Sequence, residues 1–335
     1  MADALVPGRS CPVSYRYGAA AFDRASDLSA ETLYVVGGLY GNSFALEALL
    51  ALQAIEPAAQ LVFNGDFNWF NKDDASFVEI NTEVLRHHAL RGNVETELLS
   101  ADAAAGCGCA YPDYVDDADV ARSNAMMGLL SETAQRHRAL SERLAALPMS
   151  LVAQVGSLRV GIVHGDAESL AGWQFGEEAL DAQRMARLFD VARVGAFVSS
   201  HTCLAVGATW ATRTGKRALF NNGAAGMPNF SGTSYGLITR ISTVAAPLAL
   251  GALYGTSIEG THLDCVPLRY DQSAWLTRFD RVWPAGSAAA QSYRQRIVFG
   301  PCYTQAEAMR GVAAQGVKSA AADSTYKASV AALVA

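Results

Sequence analysis

Residues 33–66 read LYVVGGLYGNSFALEALLALQAIEPAAQLVFNGD. The run 33–36 is apolar and β-branched and ends in Gly37-Gly38. Over 43–55 the apolar residues Phe44, Leu46, Leu49 and Leu50 recur at helical spacing, and 61–63 repeats the strand signal before Asn64-Gly65-Asp66. Strand, glycine-rich turn, helix and strand in that order form the unit of a largely parallel α/β sheet.

The alternation continues outward from this unit. A helical pattern over 75–86 precedes a short strand, 88–90, and then Arg91-Gly92-Asn93. Periodicity is lost over 96–119, where Gly106-Cys107-Gly108-Cys109 and Tyr111-Pro112-Asp113 read as an inserted loop or small cap. Helix returns over 120–147 and is stopped by Pro148. Strands at 151–155 and 158–163 lead to His164, and a helix at 177–189 precedes the strand 194–198 and then His201. Short β segments at 204–211, 218–220, 235–241 and 248–254 make the second half look like an antiparallel or mixed sheet. The runs 273–281, 288–298 and 304–312 have helical spacing, and 320–335 is Ala-rich and of low complexity. The organisation expected is an extension over 1–30, a main domain over 31–270 carrying the insertion 96–119, and a helical appendage with an Ala-rich tail over 271–335.

With 335 residues, 51% of them hydrophobic, the chain can bury a large core. The net charge of -6 with scattered Lys and Arg argues against a nucleic-acid surface. The most apolar stretch, 244–254, is too short to span a bilayer and is interrupted by Pro247 and Gly251, so no membrane partner is expected. No apolar segment of a secretion signal opens the sequence, which gives a cytoplasmic expectation. In that reducing setting the six cysteines would be thiols.

Four fragments carry the chemistry: Asn64-Gly65-Asp66, Gly92-Asn93, Val163-His164-Gly165 and Ser200-His201-Thr202, each following an apolar strand. A carboxylate, an amide oxygen and two imidazoles suit one divalent transition metal, Fe, Mn or Zn. Either histidine alone reads as a hydrogen-bonded residue at a sheet edge, whereas the four together favour a metal. Cys107 and Cys109 read first as ordinary loop thiols, with soft ligands or a redox pair as the alternative. Asp166 reads as an acceptor that orients an imidazole or as a solvated carboxylate, His87-His88 as surface or packing residues, and Trp69 and Phe70 as core rings or pocket wall.

Taken in order, Val35-Val36-Gly37-Gly38-Leu39-Tyr40-Gly41-Asn42, Gly65-Asp66, Gly92-Asn93-Val94-Glu95, Val163-His164-Gly165-Asp166, Ser200-His201-Thr202-Cys203 and Asn221-Asn222-Gly223-Ala224-Ala225-Gly226-Met227-Pro228 resemble the calcineurin-like metallophosphoesterases. The likeness runs over about 33–240. It implies an α/β four-layer sandwich of two mixed sheets flanked by helices, with metals at the strand ends. It also implies that Asp66, Asn93, His164 and His201 bind the second metal of the family's pair. Each ligand private to the first metal is replaced, by Gly38, Tyr40 and Cys203, so a second metal is doubtful and a mononuclear centre is expected.

By the same resemblance Tyr40 and Cys203 point into the cavity and address the substrate, or else bind a softer metal. Val94 stands where a catalytic His is usual, so a general acid would come from Tyr40, Cys203 or Glu95. Asn42, Asn222, Gly223 and Asp166 are candidates for substrate contact. The function implied is metal-dependent hydrolysis of a phosphoester or related bond in a small-molecule substrate. The alternatives are a redox or sulfur-handling metalloprotein and a phospho-ligand binding protein without turnover.

Overall fold

The computed structural model describes residues 6–100 and 105–315. Two seven-stranded sheets face each other. The first holds β2 (Thr32–Val36), β3 (Gln60–Asn64), β4 (His88–Leu90), β10 (Gly236–Ser242), β11 (Tyr254–Ile258), β12 (Thr261–Leu268) and β14 (Ala313–Ala314), in the order β14-β11-β12-β10-β2-β3-β4. The second holds β1 (Leu28–Ala30), β5 (Ser150–Val155), β6 (Leu158–Val163), β7 (Ala196–Ser199), β8 (Ala205–Thr212), β9 (Gly215–Asn222) and β13 (Met309–Arg310), in the order β1-β5-β6-β7-β9-β8-β13. Within the first, β2, β3 and β4 run parallel; within the second, β6, β7 and β9 do.

Strand side chains alternate between faces, and here both faces are buried, which is why these strands read as continuous apolar runs. In β2, Leu33 and Val35 enter the core between the sheets, while Tyr34 and Val36 face an outer core. That outer core is completed by helices α1 (Ser43–Gln53), α2 (Asp74–Val84), α4 (Asp117–Arg136), α5 (Arg138–Ala145), α7 (Gln272–Val282) and α8 (Ala288–Phe299). On the far side, Phe197 of β7 packs with Met185, Leu188 and Phe189 of α6 (Ala182–Ala192). Helix layer, sheet, sheet and helix layer give the four-layer sandwich.

Several local expectations are corrected. The segment 248–254 is not a strand: Pro247 opens a single helical turn, Gly251 turns left-handed at φ 59°, and pairing begins only at Tyr254. The segment 304–312 is helical for one turn, α9 (Gln305–Ala308), and its remainder is recruited as edge strand, Met309 and Arg310 pairing with β8. Unpaired sheet edges outcompete weak helical propensity there. The long helix over 120–147 is broken at His137, and the helix expected from 177 begins at Ala182, capped by Asp181. The Ala-rich run 320–335 lies outside the described residues. Among the described residues no helix is long and apolar enough to cross a membrane.

Candidate metal centre

Five loops leave the carboxyl ends of parallel strands on one side of the two sheets, the usual place for a site in an α/β fold. They follow Val36, Asn64, Leu90, Val163 and Ser199. Loop geometry brings Asp66, Asn93, His164 and His201 together. The carboxylate and imidazole ligand atoms of Asp66, His164 and His201 lie within 4.8 Å of one another. His164 Nε2 is the hub, 3.0 Å from Asn93 Oδ1, 3.0 Å from His201 Nδ1 and 3.3 Å from Asp66 Oδ2. So close an approach of backbones needs glycine: a Cβ on Gly92 would stand 2.3 Å from Asp66 Oδ1.

The hydrogen bonds around the cluster fix where its protons are. His164 Nδ1 faces the Asn64 carbonyl at 3.0 Å, and His201 Nε2 faces the Cys109 carbonyl at 3.0 Å. A carbonyl only accepts, so each nitrogen must donate, which leaves His164 Nε2 and His201 Nδ1 as lone pairs. Asn93 Nδ2 donates to the Cys107 carbonyl at 2.9 Å, which turns its Oδ1 inward. Four lone-pair groups therefore converge with no hydrogen between them unless His164 takes a second proton. Either a proton or a cation must sit there. Donors about 2.1 Å from one ion stand roughly 3.0–3.4 Å apart, the spacing found around His164 Nε2. The donor set fits a divalent transition metal.

The electrostatics agree. Burial opposes charging His164, but the Asp66 carboxylate outweighs it and raises the His164 pKa. Burial likewise works against the Asp66 carboxylate, and His164 overcomes it, so the Asp66 pKa is lowered. His201 is pushed down to about 3, by burial and then by the neighbouring His164, and stays neutral. The cluster thus favours positive charge at one imidazole and opposes it at the other.

The cluster opens into a chamber of about 170 Å³ lined by Asp66 and His201 together with Tyr40, Cys203, Trp69, Tyr111, Trp173, Tyr293 and Arg296. Tyr40 (φ 54°), Asp66 (φ 53°) and Cys203 (φ 61°) are three of the six non-glycine residues with positive φ among the described residues. Such strain gathers where a site is being shaped. Tyr40 Oη and Cys203 Sγ are 2.9 Å apart. Burial raises the pKa of both groups. At Gly38, φ 64°, a Cβ would lie only 2.8–2.9 Å from the Tyr40 ring and hydroxyl. The phenol thus fills the space beside the absent Gly38 side chain.

The remaining candidates serve the scaffold. Glu95 does not line the chamber: its carboxylate accepts from the Asp66 amide at 2.8 Å, the Gly92 amide at 3.0 Å and Asn68 Nδ2 at 3.1 Å. Burial and then Asp66 raise it to about 7. It positions the Asp66 loop. Asn42 caps α1, accepting from Ala45 N at 3.0 Å, and donates to the Gly226 carbonyl. Asn222 Nδ2 ties the Gly37 carbonyl to that of Leu237. Gly223, φ 67°, turns the chain against Asn229, and Asp166 accepts three amides of its own loop, from Glu168, Ser169 and Gln174. Asp166 orients no imidazole, because its oxygens are already engaged.

The backbone carbonyls of Cys107 and Cys109 hold Asn93 and His201 in register, and the Cys109 thiol, on the chamber wall, also accepts from Asn93 Nδ2 at 3.4 Å. The Cys109 carbonyl also accepts from Trp173 Nε1 at 2.9 Å. His87 pairs with Glu83 and His88 is exposed, both away from the centre. Trp173 and Arg296 were not singled out from the sequence. Trp173 follows His164 on the loop folded back by Asp166, a faint signal, while Arg296 projects from α8 and had none.

Compared with known proteins, the sequence matches no family model and no curated protein. Among solved structures, a hypothetical protein from Pyrococcus horikoshii OT3 is 14% identical with a TM-score of 0.56, over 81% of this chain and 99% of that one. A metallophosphoesterase from Sphaerobacter thermophilus is 15% identical with a TM-score of 0.53, over 81% and 100%. The fold is that of the metallophosphoesterases. The acceptor cluster lies at the strand ends of this fold.

Proposed function

We propose that this chain is a metal-dependent phosphoesterase with a mononuclear centre, one Fe, Mn or Zn ion held by Asp66, Asn93, His164 and His201. The observation that carries the reading is the convergence of four lone-pair groups, with the donor hydrogens of Asn93, His164 and His201 anchored outward. Such an ion would supply a Lewis acid for water and for a phosphoryl oxygen. Support for a single ion comes from the Tyr40 ring against Gly38: the groups at the first-metal position are a glycine, a phenol and a thiol, and the last two are hydrogen-bonded to each other at 2.9 Å.

The chain's own residues do the rest. Arg296 faces the chamber, with Nη2 donating to the Cys203 carbonyl and Nε to the Pro228 carbonyl, while Nη1 has no partner among the described residues and is available to a phosphoryl oxygen. Tyr40 and Cys203 present a hydrogen-bonded pair at the chamber wall, from which the leaving oxygen would take a hydrogen bond. The aromatic walls limit water around the reacting group.

The test is metal content with turnover. Protein reconstituted with Mn(II), Fe(II) or Zn(II) is expected to hold one ion per chain and to hydrolyse a phosphate ester until a chelator removes it. Two ions per chain would overturn the mononuclear centre, and chelator-insensitive turnover would overturn the metal. Gly38→Asp alone is expected to leave the content at one ion, because Tyr40 fills the space. Combined with Tyr40→His and Cys203→His, it is expected to move the content towards two.

A further inference from the structure

The chamber beside the metal cluster is not the whole cleft. A second cavity of about 600 Å³ meets it, the two sharing Trp173, Thr202 and Arg296 as lining residues. At about 30 Å³ per water, the inner 170 Å³ has room for roughly six waters, enough for a phosphoryl group and a nucleophile but not for an organic group as well. The outer volume falls in the range of cavities that take small organic molecules.

The outer walls are unlike the inner ones. Tyr114, Pro112, Leu204 and Trp173 offer ring faces and apolar surface, with Tyr114 edge-on to Trp173 at 6.5 Å. Among the described residues, the only cation lining this cavity is Arg296, at the junction with the inner chamber. Glu177 and Glu178 line it too; Glu177 is paired with Arg310, and Glu178 has no ion-pair partner among the described residues. The cleft thus runs from a cation-binding cluster, past one arginine, to an apolar aromatic bay with acidic residues. A second phosphate in the bay would meet a carboxylate; a neutral or cationic ring would not.

We propose that the substrate is a phosphate monoester of an alcohol bearing a planar aromatic ring, neutral or cationic, with the phosphate in the inner chamber and the ring in the outer cavity against Trp173 and Tyr114. This rests on the phosphoesterase reading and adds the substrate class to it. The phosphate's charge meets the metal cluster and Arg296, and the ring replaces water on the bay's apolar walls. Polyanions such as nucleic acid are disfavoured by the same charge pattern.

Calorimetric titration of the full-length Mn(II)-loaded protein with two non-hydrolysable probes tests this. Benzylphosphonate is expected to bind about tenfold or more tighter than methylphosphonate, from burial of the ring. Tyr114→Ala is expected to reduce that ratio about two- to tenfold, the range of one aromatic contact, with metal content as the check on folding. Tyr114 is 66% exposed, so its truncation spares the core. 4-Carboxybenzylphosphonate is expected to bind more weakly than its 4-aminomethyl counterpart; the reverse order overturns the assigned charge. Equal affinity for benzyl- and methylphosphonate, or a ratio indifferent to Tyr114→Ala, overturns the ring site while leaving the phosphoesterase reading standing if chelator-sensitive hydrolysis persists. If neither probe binds and no phosphate ester is hydrolysed, both readings fall.

Discussion

His164→Ala is expected to lower the affinity for the divalent ion by more than about 100-fold and to reduce chelator-sensitive hydrolysis by at least as much. Loss of an outer-sphere partner alone costs about 10- to 100-fold, and His164 is the hub that Asn93, His201 and Asp66 all approach within 3.0–3.3 Å. The remaining three groups still converge, but they leave a gap on the side that β6 supplies. Metal titration monitored by calorimetry reads the affinity, and turnover at saturating metal separates lost binding from lost chemistry. Asn42→Ala supplies the contrast. Its side chain caps α1, so its removal is expected to cost about 1 kcal/mol of stability with the metal stoichiometry unchanged. An unaltered metal affinity in His164→Ala would place the ion elsewhere.

The contrast between these two residues also shows what a sequence can disclose about such a site. Asp66, Asn93, His164 and His201 were legible because each follows a strand whose apolar run is itself legible. Strand ends in a parallel sheet meet by the geometry of the fold. Asn42, Gly223 and Asp166 sit in equally suggestive motifs, yet hydrogen bonding within their own loops decides their roles. A motif names the residue type at a loop but not which neighbour will occupy its polar atoms. Trp173 and Arg296 were illegible for a different reason: Arg296 reaches the chamber only because α8 packs over the strand-end loops, a contact between residues far apart in the chain. The same holds for 309–310, where an unpaired edge of β8 overrode local helical spacing.

Long-range packing also sets the largest stability effect expected. Arg240, on β10 with its guanidinium fully buried, forks onto Glu56 at 2.7 and 2.8 Å and reaches Asp264 at 3.1 Å. Glu56 also accepts from Tyr34 Oη at 2.6 Å, so helix layer and sheet are tied through one cation. Arg240→Met removes that cation and strands the buried carboxylate of Asp264, which is expected to cost about 3–5 kcal/mol at neutral pH in denaturant unfolding. Replacing all three charges with apolar residues of similar volume is expected to recover most of the loss, because an intact buried pair contributes little net stability over a packed apolar core. The pH dependence has a definite sign. The hydrogen-bonded Arg240 guanidinium holds the Glu56 pKa below its ordinary 4.5, so this contribution is fully present above that value and fades as pH falls through the lowered folded value. The gap between wild type and Arg240→Met is therefore expected to narrow below about pH 4.5. A loss under about 1 kcal/mol at neutral pH, the scale of an exposed pair, would show that water reaches this network and that burial does not set its energy.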